Sequence, residues 1–215
     1  MDIIRQTKKT LIFLIIVLGV NSCGRNIKIS QEIFKEVVSH RNLGLAYIEE
    51  NRLLDAVDEF QELVKIIPRE PLGYANLGYV YLNKSGELEQ SEAWLLKALK
   101  LDPNFTEAHN NLGITLQELE RLDEAETSYR QAIILKPDYA EAYSNLGSTL
   151  QKMGKLEEAE ASYRQAIALK SDFAEAHSNL GITLQELGRL EEAEASYRQA
   201  ISLNPDFADA HSNLG

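Results

Sequence analysis

Four histidines, one cysteine and a recurrent set of carboxylates are the residues of this 215-residue chain whose types could support catalysis or metal binding. His40, His109, His177 and His211 recur at one place in a repeating pattern, where Tyr74 and Tyr143 stand in the intervening copies. A position shared between histidine and tyrosine reads as packing. Stacking of copies could bring His177 near His211, but two imidazoles without a third ligand make a poor metal site. Glu157, Glu158 and Glu160, like Glu191, Glu192 and Glu194, imitate paired catalytic carboxylates or calcium ligands. They recur at the start of predicted helices, where negative charge suits the helix dipole. The chain contains no H-E-x-x-H, no G-x-x-x-x-G-K-[ST], no G-x-S-x-G and no glycine-rich phosphate loop. The sequence therefore predicts no enzyme, no cofactor and no metal site.

Asparagine is the more informative residue. It precedes Leu-Gly at Asn42, Asn76, Asn111, Asn145, Asn179 and Asn213, so the tripeptide recurs at spacings of 34, 35, 34, 34 and 34 residues. Residues 140–173 and 174–207 agree at 26 of 34 positions, as do 106–139 and 174–207, so the period is a true repeat. With the glycine as eighth residue, the units are 37–70, 71–105, 106–139, 140–173 and 174–207, with a partial sixth at 208–215. The extra residue of the second unit lies near Asn83 to Gly86.

The units repeat a leucine, a glycine, a leucine or aromatic residue, two alanines, a further aromatic residue and a proline, with Ser171 in place of the proline in the fourth and more divergence in the first two. The third unit shows Leu112, Gly113, Leu116, Ala125, Tyr129, Ala132 and Pro137; the fifth shows Leu180, Gly181, Leu184, Ala193, Tyr197, Ala200 and Pro205. Small residues let two antiparallel helices approach while Leu116 and Tyr129 fill the space beside them. The proline ends the second helix. Asp138, Asp172 or Asp206 then stands where it could cap the next helix, with Glu141, Glu175 or Asp209 three residues on, a capping-box-like pattern. Glu126 with Arg130, Glu160 with Arg164 and Glu194 with Arg198 are (i, i+4) pairs expected on solvated faces. The first helix of the first unit is expected from about Ser30 to Glu50. Seven matched positions at one period resemble the tetratricopeptide repeat (TPR). The resemblance implies an all-α fold: a right-handed superhelical solenoid of antiparallel helical hairpins, with a concave face lined by first helices.

Asn76, Asn111, Asn145 and Asn179 are then expected on the inner face as a ladder of amides, either contacting a ligand or bonding the backbone of the neighbouring repeat. An amide offers donor and acceptor together, as an extended peptide backbone requires. The ladder resembles that of O-linked N-acetylglucosamine transferase repeats. Selectivity would come from Ile114, Gln117 and Glu118, from Ser148, Gln151 and Lys152, and from Ile182, Gln185 and Glu186. Apart from Lys152 these lack the cations with which chaperone-binding members of the family clamp a terminal carboxylate.

Residues 1–22 read as a signal peptide: Arg5, Lys8 and Lys9 precede the apolar run Leu11 to Val20, too short to span a bilayer as a helix. Val20-Asn21-Ser22-Cys23 resembles a bacterial lipoprotein box, which implies lipidation of Cys23, with residues 23–36 as tether and start of the first helix. Asn21 departs from the usual small or aliphatic residue. Loss of 1–22 would remove a net charge of +2 and take the chain from −11 to −13. Such a charge opposes binding to nucleic acid and to anionic lipid surfaces, so a membrane contact would rest on acyl chains.

Together these features predict a protein–protein interaction scaffold of the bacterial cell envelope, membrane-anchored and binding extended segments of other proteins. The alternative is the substrate-recruiting front of a larger enzyme, such as a glycosyltransferase, continuing past Gly215. The end at Gly215 falls inside a predicted helix, so the sequence is expected to be a fragment.

Overall fold

The computed structural model describes residues 31–206. The signal peptide, Cys23, His211, Asp209, Asn213 and the partial unit 208–215 lie outside the described residues. Two compact units are distinguished: residues 1–36, of which only the opening of the first helix is described, and residues 37–215, which contain the repeats.

Ten helices follow one another among the described residues: α1 Gln31–Glu49, α2 Leu53–Ile66, α3 Pro71–Leu82, α4 Leu88–Leu101, α5 Thr106–Glu118, α6 Leu122–Leu135, α7 Ala140–Lys152, α8 Leu156–Leu169, α9 Ala174–Glu186 and α10 Leu190–Leu203. No strand occurs among the described residues. None of the described helices is long and apolar enough to cross a membrane. From α3 onward the helices pair as hairpins, and each second helix also packs on the next first helix. Successive first helices α3, α5, α7 and α9 approach one another directly. Successive second helices are spanned by long side chains, so the array curves with its first helices inward.

The recurring glycine sets the hairpin spacing. A Cβ on Gly113, Gly147 or Gly181 would stand 2.6, 2.8 or 2.5 Å from Tyr129, Tyr163 or Tyr197, whose rings are buried. Gly44 and Gly78 meet Phe60 and Leu95 in the same way. Leu112, Leu116, Leu146, Leu150, Leu180 and Leu184 join these rings and the alanines of the second helices in one continuous core.

Turns within hairpins end the first helix in the left-handed region, at Gly154 and Gly188 but also at Asn51 and Glu120. Around Glu120 the amide of Arg121 donates to Leu116 and that of Glu120 to Gln117, the two bonds of a Schellman motif. The five-residue turn Asn83 to Glu87 takes up the extra residue of the second unit, with Gly86 at φ +79°.

The expected capping box does not form. Tyr139 and Phe173, rather than Asp138 and Asp172, occupy the N-cap positions, and neither helix has a side-chain cap. The reason is the turn before them: the Tyr139 amide donates to the Lys136 carbonyl at 3.2 Å, with Pro137 and Asp138 as its two central residues. Proline favours the first central position of such a turn. Asp138 is thereby held one residue too early to reach the helix amides. The same turn closes at Lys170 to Phe173 with Ser171 in place of proline.

Candidate functional site

On each first helix the residues at places two, six, nine and thirteen of the unit fall on one face, about 60° wide and opposite the glycine that meets the second helix. For α5 these are Glu107, Asn111, Ile114 and Glu118; for α7, Glu141, Asn145, Ser148 and Lys152; for α9, Glu175, Asn179, Ile182 and Glu186. Because first helices neighbour one another, the three faces join into a continuous inner surface.

The asparagines on it are not equivalent. Asn145 donates from Nδ2 to Oδ1 of Asn110 on the preceding first helix at 3.2 Å. Asn111 and Asn179 are part-exposed and make no side-chain hydrogen bond to any described residue. Asn76 Nδ2 is buried without an acceptor. So is Nε of Arg41, which precedes Asn76 by 35 residues, as Asn110 precedes Asn145. Burial lowers the Arg41 pKa from its ordinary value. The place of Arg41, the fifth of the unit, was its only sequence signal.

Several groups expected to face a ligand are engaged within the array. Gln117 Oε1 accepts from the Thr149 hydroxyl at 2.6 Å, Gln151 Nε2 donates to Glu186 at 3.0 Å, and Gln185 Oε1 accepts from the Tyr197 hydroxyl at 3.0 Å. Ile114 and Ile182 are half-buried against the core. Thr115, Thr149 and Thr183 were not singled out by sequence; all three are buried, Thr115 and Thr183 donate to the carbonyl four residues back, and Thr149 Oγ1 lies 3.1 Å from the Asn145 carbonyl. Thr115 Oγ1 also lies 2.9 Å from Ser91 Oγ, which donates to the Gly78 carbonyl, so a polar seam runs between the second and third units.

Each histidine among the described residues has a hydrogen-bond partner within the chain. His109 and His177 bond through Nε2 to the carbonyls of Pro103 and Ser171 in the preceding turn, and Tyr74 donates to Pro68 in the same way. His40 Nδ1 lies 2.6 Å from Glu59. Among the described residues there is no group of three or more metal-ligating side chains.

The three (i, i+4) pairs form, but Glu126 and Glu160 are only 16% and 15% exposed, because each also bridges to the next unit. Glu160 accepts from Arg164 and Arg189, both of which also reach Glu192, closing a four-residue ring across two second helices. A cleft of about 380 Å³ lies between α8, α9 and α10, lined by Arg164, Ile167, His177, Leu180 and Gln199. It opens away from the asparagine face, on which neither His177 nor Leu180 lies.

The sequence profile of the tetratricopeptide repeat matches residues 104–172 and 138–206, and a second TPR profile matches 82–120. Among solved structures, the chain is similar to a TPR protein of Thermus thermophilus (24% identity, TM-score 0.70, covering 83% of this chain and 96% of that one). YrrB, described as a TPR protein with an unusual peptide-binding site, gives 23% identity and TM-score 0.64, covering 83% and 92%. A protein O-mannosyl-transferase of Drosophila melanogaster is 31% identical over 80 residues, 37% of this chain. The chain spans 9% of that relative's length.

Proposed function

The chain belongs to the tetratricopeptide repeat family, and from that premise we propose that it is a non-enzymatic scaffold whose first helices bind extended segments of partner proteins. The observation that carries this reading is the row of asparagines on the inner face, with Asn111 and Asn179 unengaged by described residues and Asn76 Nδ2 buried without an acceptor. A peptide backbone supplies alternating carbonyls and amides. Amides at a period of one unit can hold it without reading its side chains. The description of YrrB as a peptide-binding TPR protein is consistent with this use of the fold.

Peptides recovered from a random display library against the purified chain should lose binding when Asn111, Asn145 and Asn179 are replaced together by alanine, with helicity retained by circular dichroism. Unchanged capture would refute the reading.

The envelope location rests on the basic and apolar pattern of residues 1–22 and on Cys23. Mass spectrometry of protein extracted from membranes should find an acylated Cys23 as the mature N-terminus; an unmodified Cys23 would remove the anchor. A second reading, recruitment of substrates for a larger glycosyltransferase, is supported by the 80-residue likeness to the mannosyl-transferase. It requires a catalytic domain in the same open reading frame.

A further inference from the structure

Carboxylates stand on both sides of the array, and on the second helices Glu89, Asp123, Glu157 and Glu191 are exposed and make no ion pair with described residues. On the second helices Glu92, Glu124, Glu126, Glu158, Glu160, Glu192 and Glu194 are all engaged in ion pairs. On the inner face Glu107, Glu118 and Glu175 are exposed and make no ion pair with described residues. Glu141 meets Lys170 at 3.3 Å, Glu186 accepts from Gln151, and Lys152 stands 3.9 Å from Glu120. Five carboxylates and one ammonium therefore line the faces of α5, α7 and α9. In the first two units the same places hold Val38, Asn42, Leu45 and Glu49, then Leu72, Asn76, Tyr79 and Asn83, a nearly uncharged surface. The acidity is carried by the faces of α5 and α9, since Glu141 and Lys152 balance on α7, and it adds to that of a chain of net charge −11.

We propose that the inner face of units 106–139, 140–173 and 174–207 selects an extended partner segment carrying a basic side chain at about every third residue. Lysines or arginines of that segment would face Glu107, Glu141 and Glu175, the second place of each unit. This inference rests on the peptide-binding reading above and adds the partner's chemistry to it. The spacing follows from geometry: packed helices lie about 8–10 Å apart, so one carboxylate place per unit recurs at about that interval. A polyproline-like segment advances about 3.1 Å per residue, or roughly 9 Å in three residues. Uncompensated carboxylates also repel acidic segments, so the surface discriminates by repulsion as well as attraction.

The test uses the full-length chain and two labelled peptides, five repeats of Lys-Ala-Pro and five of Glu-Ala-Pro, followed by fluorescence anisotropy at low and moderate salt. The lysine peptide should bind, more weakly as salt rises, and the glutamate peptide should not. Glu107→Gln, Glu141→Gln and Glu175→Gln together should lower affinity for the lysine peptide roughly tenfold. Glu89→Gln, Glu157→Gln and Glu191→Gln make the same charge change at exposed second-helix places and should leave affinity within twofold. Equal losses in the two triple variants, or equal binding of the two peptides, would overturn the proposal. Capture of display-selected peptides without basic residues, with both probes ignored, would overturn it while leaving the asparagine reading intact.

Discussion

Replacing Gly147 by alanine tests the packing logic of the repeat most directly. An added Cβ would lie 2.8–2.9 Å from three atoms of the Tyr163 ring, whereas carbon atoms in contact rest about 3.5–4.0 Å apart. Ring or helix must retreat by roughly 1 Å. Tyr163 is 1% exposed and its hydroxyl reaches Gln151, so the ring has no free space to swing into. Overpacking a core costs about 1–3 kcal/mol, and the upper half of that range applies to a ring held on all sides. Alanine returns about 1 kcal/mol of helix propensity. The net loss is then about 1–2 kcal/mol, read as a lower urea midpoint with unchanged slope. The decisive comparison is the Tyr163→Ala background. There the Cβ has room, so Gly147→Ala should change sign and stabilise by about 1 kcal/mol. An equal destabilisation in both backgrounds would refute the argument that the ring dictates the glycine.

Other outcomes follow from the same contacts. Glu120→Gly should stabilise by about 1 kcal/mol, because Glu120 sits at φ +57° where units four and five use glycine; thermal melting checks it. Thr149→Val should cost about 1 kcal/mol by deleting the 2.6 Å bond to Gln117, measured by urea denaturation. Lys155 and Arg130 hold the Glu126 carboxyl below its ordinary pKa, so its contribution is complete above the unfolded carboxylate range and is lost as pH falls through the lowered value; urea midpoints between pH 7 and pH 3 should decline only at the acid end. Burial, then Glu107 and Glu141, pushes the Tyr139 phenol up to about 12, and burial pushes Tyr129 and Tyr163 higher. Absorbance titration of folded protein should show Tyr139 ionising near 12, and Tyr129 and Tyr163 only on unfolding.

Sequence by itself determined the period, the helical hairpins, the place of Gly113 and its counterparts, and the pairs of Glu126, Glu160 and Glu194 with arginines four residues on. These are local facts: a helix brings residues three and four apart together whatever surrounds it, and a repeated glycine beside a repeated aromatic residue admits few packings. Tyr139 and Phe173 rather than the aspartates begin their helices because a turn closed by an amide three residues on competes with the capping box; that turn is local as well, but the sequence offers both arrangements and the structure shows which one forms. Only tertiary structure decided that Glu160 closes a ring with Arg189 and that Thr149 takes Gln117. Each of these joins one unit to the next. Such contacts depend on how far one helix is rotated and shifted against its neighbour, and no spacing along the chain encodes that.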